Sequence, residues 1–319
     1  MPMLNMSDQM TALEIVKRAN LPEPFKILEL MRLINEMLID TPAYEANNGT
    51  INVTLQRNIR PMGEHRIYNK GVGRFATQTS LVHDRIAVLE AYSLVDEIML
   101  EHSGNVNAAR MSEASAILKG MGLTQARTLI YGDERKPEEF AGLMQRRNSL
   151  ADPNVIDAGG TGSGLTSIYL CAAGPDLFHL IYPKGSNSVG VTRTDKGKET
   201  VYDRSTKEYE AYRDHFRAQY GIAVRFPDAV KRICNIPATM NGDDLIDIIL
   251  EARRKMPQGA STYSMYSNVD ILIKLDKTAR DKSNVVYYGA DPWGREITHV
   301  RDLRCRQMDV ILNTESAVA

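Results

Sequence analysis

The stretch from Asp157 to Ile236 most constrains what this chain can become. It opens on a glycine run, Asp157-Ala-Gly-Gly-Thr-Gly-Ser-Gly164. Two apolar segments follow, Thr166 to Ala173 and Leu177 to Tyr182, broken by Gly174-Pro175 and closed by Pro183-Lys-Gly185. A longer patterned segment then runs from Tyr209 through Phe226 to Ile236. Ile222, Val224 and Phe226 alternate with Arg225 in it, and a period of two reads as half-buried strand. This much strand demands a sheet, on which the helical or protruding parts before it and the smaller layer after it are mounted.

The flanks carry the other period. Thr11 to Arg18 is a short helical signal. Pro22-Glu-Pro24 opens a stronger helix with Ile27, Leu30, Met31, Ile34, Met37 and Leu38 on one face, stopped by Thr41-Pro42. That face must dock on the chain's own core or on a neighbouring subunit. Residues 82–102 read as a helix on the stripe Ile86, Leu89, Tyr92, Val95 and Met99. A longer helix, capped by Asn105, runs to Leu129-Ile-Tyr-Gly132 as a spine. Asp133 to Leu150 is a charged connection. Asn241-Gly-Asp-Asp244 starts a helix that ends basic at Arg253-Arg-Lys255, complementing its dipole. Ser267 with Asp270 forms a capping box for a helix over Val269 to Lys282. Val285 to Tyr288 is a strand, Asp291-Pro-Trp-Gly294 a turn, and Ile297 to Leu312 a last strand pair.

Residues 47–80 differ from the rest. Ile51, Val53 and Leu55 alternate with polar residues, Pro61-Met-Gly63 offers a turn, and a second arm continues to Gly71-Val-Gly-Arg-Phe75. With so few large apolar residues the segment cannot fold alone as a hairpin. Composition leaves two readings of equal standing, disorder or an interaction arm.

Composition closes off several functions. A formal net charge of -1 over 319 residues is not that of a dedicated nucleic-acid binder. Cys171, Cys234 and Cys305 are far apart, which suits a reducing compartment and burial better than metal binding. The start of the chain shows no signal peptide, and no apolar run nears the ~20 residues that span a bilayer. These features describe a soluble intracellular protein.

Candidate chemistry fails piece by piece. Gly159 to Gly164 resembles a nucleotide loop, but a strand rather than a helix follows it, and no Gly-Lys-Ser/Thr is present. The loop leaves a nucleotide-binding enzyme as the alternative from another class. The six histidines are scattered without zinc spacing, His179 reading as a core or surface residue. Gly162-Ser-Gly164 is not a nucleophile elbow, and Asp243-Asp244 is acid at a helix start. Arg301, Arg304 and Arg306 read as strand residues facing solvent or a neighbouring acidic surface. The residues indicate no catalytic group, metal or cofactor.

A set of motifs in order carries a resemblance. It comprises Leu89-Glu-Ala-Tyr-Ser-Leu-Val-Asp96, the spine ending Leu129-Ile-Tyr-Gly132, and Pro137-Glu-Glu-Phe-Ala-Gly-Leu143. Asn154-Val-Ile-Asp-Ala-Gly-Gly-Thr-Gly162, Ile181-Tyr-Pro-Lys-Gly185 and Val230-Lys-Arg-Ile-Cys-Asn-Ile236 complete it. From about residue 10 onward the chain resembles the major capsid proteins of tailed phages of the epsilon-fifteen and Bordetella-phage type. The extended loop and the Val191–Thr206 region match poorly.

The resemblance implies an α+β, Hong Kong 97-like fold with the long strands placed before the axial helices. It implies an N-terminal arm over 1–46, an extended loop over 47–82, a peripheral domain over 83–236, and an axial domain with C-terminal strands over 237–319. It implies copies of the chain as partners, in hexamers and pentamers of an icosahedral shell, with a portal and cement or scaffold proteins. Packaged double-stranded DNA would be held without sequence specificity, in a virion assembled in the bacterial cytoplasm, with no membrane partner. Extended-loop residues Asn58, Arg60, His65, Arg66 and Arg74 become the candidate assembly contacts. A cellular nanocompartment shell of the same fold is the structural alternative. Lysines and asparagines are too plentiful for the sequence to select a cross-linked pair.

Overall fold

The computed structural model describes residues 35–49, 51–58, 63–76, 78–102, 106–185, 190–202, 207–281, 285–290 and 296–319. The signals at Thr11–Arg18 and Pro22–Ile34, the Asn105 cap and the Asp291–Gly294 turn lie outside them. The strands in chain order begin with β1 (Ala43–Glu45), β2 (Ile51–Asn58), β3 (Gln78–Arg85), β4 (Ala87–Asp96) and β5 (Val155–Asp157). Next come β6 (Ser163–Ala173), β7 (Phe178–Tyr182), β8 (Val191–Tyr202), β9 (Glu208–Val224) and β10 (Val230–Pro237). The last are β11 (Thr262–Ser267), β12 (Val286–Ala290), β13 (Glu296–Val300), β14 (Leu303–Gln307) and β15 (Glu315–Ser316).

The expected platform is the centre of the molecule. Its main path runs β12-β13-β14-β11-β6-β7-β9-β4, with β10 and β15 on β6, β5 on β10, β1 on β7 and β8 on β9. β6 is buried without a break from Leu165 to Ala173. It has no exposed polar face, so its sequence from Ile168 to Ala173 is largely apolar rather than alternating. β9 has 17 residues and at about 3.3 Å each spans roughly 56 Å. Its end, Gly221–Val224, pairs with β7, while the rest ladders with β4 on one edge and β8 on the other.

The region 82–102 corrects the sequence reading. It is strand over Ala87–Asp96 and helical only over Glu97–His102. The same residues satisfy a period of two. Ala87, Leu89, Ala91, Ser93 and Val95 turn inward, and Val88, Glu90, Tyr92 and Leu94 are exposed. Ten consecutive pairs with β9, from Ala87↔Tyr220 to Asp96↔Ala211, supply the backbone partners. Long-range pairing of this kind overrides local helical spacing.

The spine helix, Val106–Tyr131, lies against the inward side of β4 and β9. At 26 residues it is about 39 Å long. Ala114, Leu118, Met121, Ala126, Leu129 and Ile130 are among its buried residues. Arg110 fixes its rotation by donating to Asp195 at 2.7 Å and to Asp214 at 2.9 Å, and Arg193 donates to the same Asp214. A short helix, Leu143–Arg146, lies within the charged connection.

After the platform, helices Gly242–Arg254 and Val269–Asp281 pack on each other, the second also over β12 to β14. The second is capped by Asn268, not by Ser267: Asn268 Oδ1 accepts the Ile271 N–H at 3.0 Å. Ser267 cannot serve because it is the last, fully buried residue of β11.

Residues 37–45 dock on the chain's own body. Helix Met37–Asp40 buries Met37 and Leu38 and stops before Thr41-Pro42, as the sequence indicates. Asp40 receives the Arg306 Nε at 2.6 Å and its Nη2 at 2.9 Å, with Arg304 at 3.2 Å. Arg306 is 1% exposed. The expectation that it faces solvent or a neighbour therefore fails, because its acidic partner lies within the same chain.

β1 then pairs with β7, where His179 is buried edge-on to Tyr44 at 5.1 Å. Burial, aided by Arg225, holds the imidazole pKa down at about 4. The folded protein therefore refuses a proton that the unfolded chain takes up below about pH 6.5. Stability is lost as pH falls from there toward 4, by about 3 kcal/mol for this group. Urea unfolding at pH 7 and pH 4.5 should show this loss, and His179→Gln should flatten the slope.

Candidate assembly surface

Of the two readings of 47–82, the described residues favour the arm. β2 and β3 form a two-stranded antiparallel ribbon in continuous register from Ile51↔Arg85 to Asn58↔Gln78. The ribbon lacks a core of its own, as its composition indicates, and is held by its root. An isolated hairpin is marginal, but this one emerges one residue before β4, and β3 touches β9. Asp84, fully buried, sits 2.8 Å from the Arg146 guanidinium on the short helix. Burial raises the Asp84 pKa against the opposing pull of Arg146. Gly221 on β9 leaves no space beside the root, since a Cβ there would come 2.6 Å from the Arg85 carbonyl oxygen.

The ribbon ends in a tip, residues 63–76, every one of them exposed. Ile67 and Tyr68 are 75% and 93% exposed, and Val72 and Phe75 stand out beside them. His65, Arg66 and Arg74, expected as contacts, all lie in this tip, and Asn58 ends β2 at its neck opposite Gln78. Arg60 lies outside the described residues. Arg66, Lys70 and Arg74 give the tip three basic residues against Glu64 alone.

A second exposed apolar surface went unseen in the sequence because its strand was taken for helix. Val88, Tyr92 and Leu94 on the outer side of β4 continue into Ile98 and Met99 on the helix after it. Tyr92 is stacked on His215, centroids 4.5 Å apart, and the Arg213 guanidinium lies 4.4 Å from its ring. Asp96, Glu97 and Glu101 make the far end of this surface acidic, with Lys198 bonded to Glu97 at 2.8 Å. Alternation along β4, had it been preferred to the helical spacing, was the signal that could have found it.

The glycine loop is explained by packing. Gly160 lies where a Cβ would meet the Asn235 carbonyl oxygen at 2.5 Å, and Gly159, Gly162 and Gly164 adopt positive φ on the way into β6. The loop leads into the strand β6 and not into a helix. Among the described residues no group of three or more His, Cys, Asp or Glu side chains could hold a metal. The three cysteines are buried and unpaired, and burial raises the pKa of each thiol. No helix among the described residues is long and apolar enough to cross a membrane.

With a projecting ribbon, a spine helix and a strand platform in place, the comparisons decide the family. The major capsid protein GP7 family matches residues 22–319. The chain belongs to the major capsid protein GP7 family. A chain of the bacteriophage Epsilon15 structure aligns at TM-score 0.65 with 30% identity, over 88% of each chain. A chain of the bacteriophage JBD30 capsid aligns at TM-score 0.51 with 10% identity, over 87% of this chain and 91% of that one. An encapsulin from Synechococcus elongatus aligns more loosely, at TM-score 0.44. A search of curated protein sequences gives no match. The fold of this major capsid protein is Hong Kong 97-like, its material is α+β, and its place is the phage capsid, where it assembles with itself.

Proposed function

We propose that this capsid protein builds the shell by laying its ribbon on neighbouring copies, in hexamers and pentamers of an icosahedral particle around double-stranded DNA. The observation that carries the reading is the tip of residues 63–76, which is exposed throughout and presents Ile67, Tyr68, Val72 and Phe75 to solvent. A monomer gains nothing from holding aromatic surface so far from its core. A basic, apolar tip suits the acidic, apolar surface at Leu94, Ile98, Met99 and Glu101 on another copy. Asn58, Arg60, His65, Arg66 and Arg74 are the contact residues on the ribbon side. Residues 1–46 serve as the arm, 47–82 as the extended loop, 83–236 as the peripheral domain and 237–319 as the axial domain with the last strands.

The near-neutral chain fits a lining that need not grip DNA, because counterions accompany the packaged genome. A portal, and cement or scaffold proteins, would complete the particle in the bacterial cytoplasm. The protein's work is structural and needs no catalytic group. A nanocompartment shell would share the fold but not the family that matches residues 22–319. Electron microscopy of the expressed protein tests the reading: closed icosahedral shells are expected. A compact monomer under every packaging-like condition, its ribbon folded on its own body, would refute it.

A further inference from the structure

Lys231 lies within β10, between β6 and β5, and is 2% exposed. Its Nζ donates to the Asn154 Oδ1 at 2.7 Å, and Asn154 is 3% exposed. Among the described residues Lys231 makes no ion pair; the neutral amide is its hydrogen-bond partner. A buried ammonium held this way is costly, whereas a neutral amine or an amide nitrogen is not. Burial lowers the lysine pKa, Arg147 and Lys255 acting with it and Asp228 and Asp152 against it. An amine is nucleophilic in its neutral form, the form that burial favours.

The amide is held as firmly as the amine. The Asn154 N–H donates to Asp152 Oδ1 at 2.9 Å, and its carbonyl accepts the Arg232 N–H at 3.0 Å. Asp152 is held in turn by Arg147 Nη1 at 2.8 Å. Amine and carboxamide are thus fixed in contact and largely shielded from water, the arrangement that makes a slow bimolecular reaction effectively unimolecular.

We propose that Lys231 and Asn154 become joined by a side-chain amide bond, an internal staple between β10 and the turn before β5. The Lys231 Nζ adds to the Asn154 Cγ, the Cγ–Nδ2 bond breaks, and Nδ2 leaves as ammonia. One proton passes from Nζ to the departing nitrogen. Atoms balance without oxidant, reductant or a further reactant. The bond ties β10 to the turn that leads into its neighbour β5 within one subunit, and it is independent of any contact between copies.

Intact-mass measurement of the denatured wild-type protein tests this. Loss of one ammonia, about 17 Da, is expected, together with a branched tryptic peptide joining the segments that hold Asn154 and Lys231. Lys231→Met and Asn154→Ser should each keep the full mass. Wild-type protein at full mass after prolonged incubation above neutral pH overturns the proposal. So does the same loss carried by a succinimide at Asn48-Gly49 or Asn241-Gly242 with no branched peptide.

Discussion

Replacing residues 59–77 with an Asn-Gly turn should leave a folded subunit that forms no closed shells. The variant keeps β2, β3 and the Asp84–Arg146 tie at their root, and the described residues it removes, 63–76, are all exposed. An Asn-Gly pair is a favoured two-residue connection for such a ribbon. Thermal unfolding should therefore stay within a few degrees of the parent. What disappears is contact area between copies: permanent interfaces commonly exceed about 2,000 Å², and projecting arms supply area that a small core cannot. Sedimentation and electron microscopy should show the yield of closed particles falling at least tenfold, with free subunits or small rings in their place. Normal closed particles from this variant would remove the ribbon from the assembly argument altogether.

Much of the architecture was open to reading because two periods dominate the chain. β6, β7, β9 and β10 and the helices Val106–Tyr131 and Gly242–Arg254 follow from runs whose local pattern agrees with their final surroundings. Where local pattern and surroundings disagree, sequence reasoning failed. β4 carries apolar residues at both helical and strand spacing, and only its ten pairs with β9, more than a hundred residues away, choose between them. The ribbon has no core of its own, and the support it borrows at the root comes from Asp84, Arg146 and Gly221, which lie far apart in the sequence. Arg306 could not be assigned because its partner, Asp40, is 266 residues distant. The tip residues His65, Arg66 and Arg74 were legible as surface. The apolar surface at Leu94, Ile98 and Met99 was not, since a mistaken helix hid which side of β4 faces out.

The same distance in sequence conceals the charge that holds the last residues in place, and removing it should have the largest effect on stability. Glu315 on β15 accepts from Arg232 Nη2 at 2.9 Å, from the Ser167 hydroxyl, and from the Tyr131 hydroxyl at 2.6 Å. Arg232, 1% exposed, spends its other donors on Ser167 and the Arg147 carbonyl. Asn235, in left-handed conformation at a bulge of β10, holds Val318 through both backbone groups. Breaking a buried pair from one side leaves the other charge unpaired at a cost of about 3–5 kcal/mol. Glu315→Ala should therefore lower Tm by roughly 6–10 °C, at about 2 °C per kcal/mol for a chain of this size. The tail after Met308 should also become open to carboxypeptidase. Arg232→Met combined with Glu315→Leu should recover more than half of the loss, since two apolar groups in place of a buried pair are often neutral. If Glu315→Ala unfolds within a degree of the parent, the pair is not what fastens the tail. Should the double variant be the weaker of the two, the hydrogen bonds to Ser167 and Tyr131, and not the unpaired charge, set the cost.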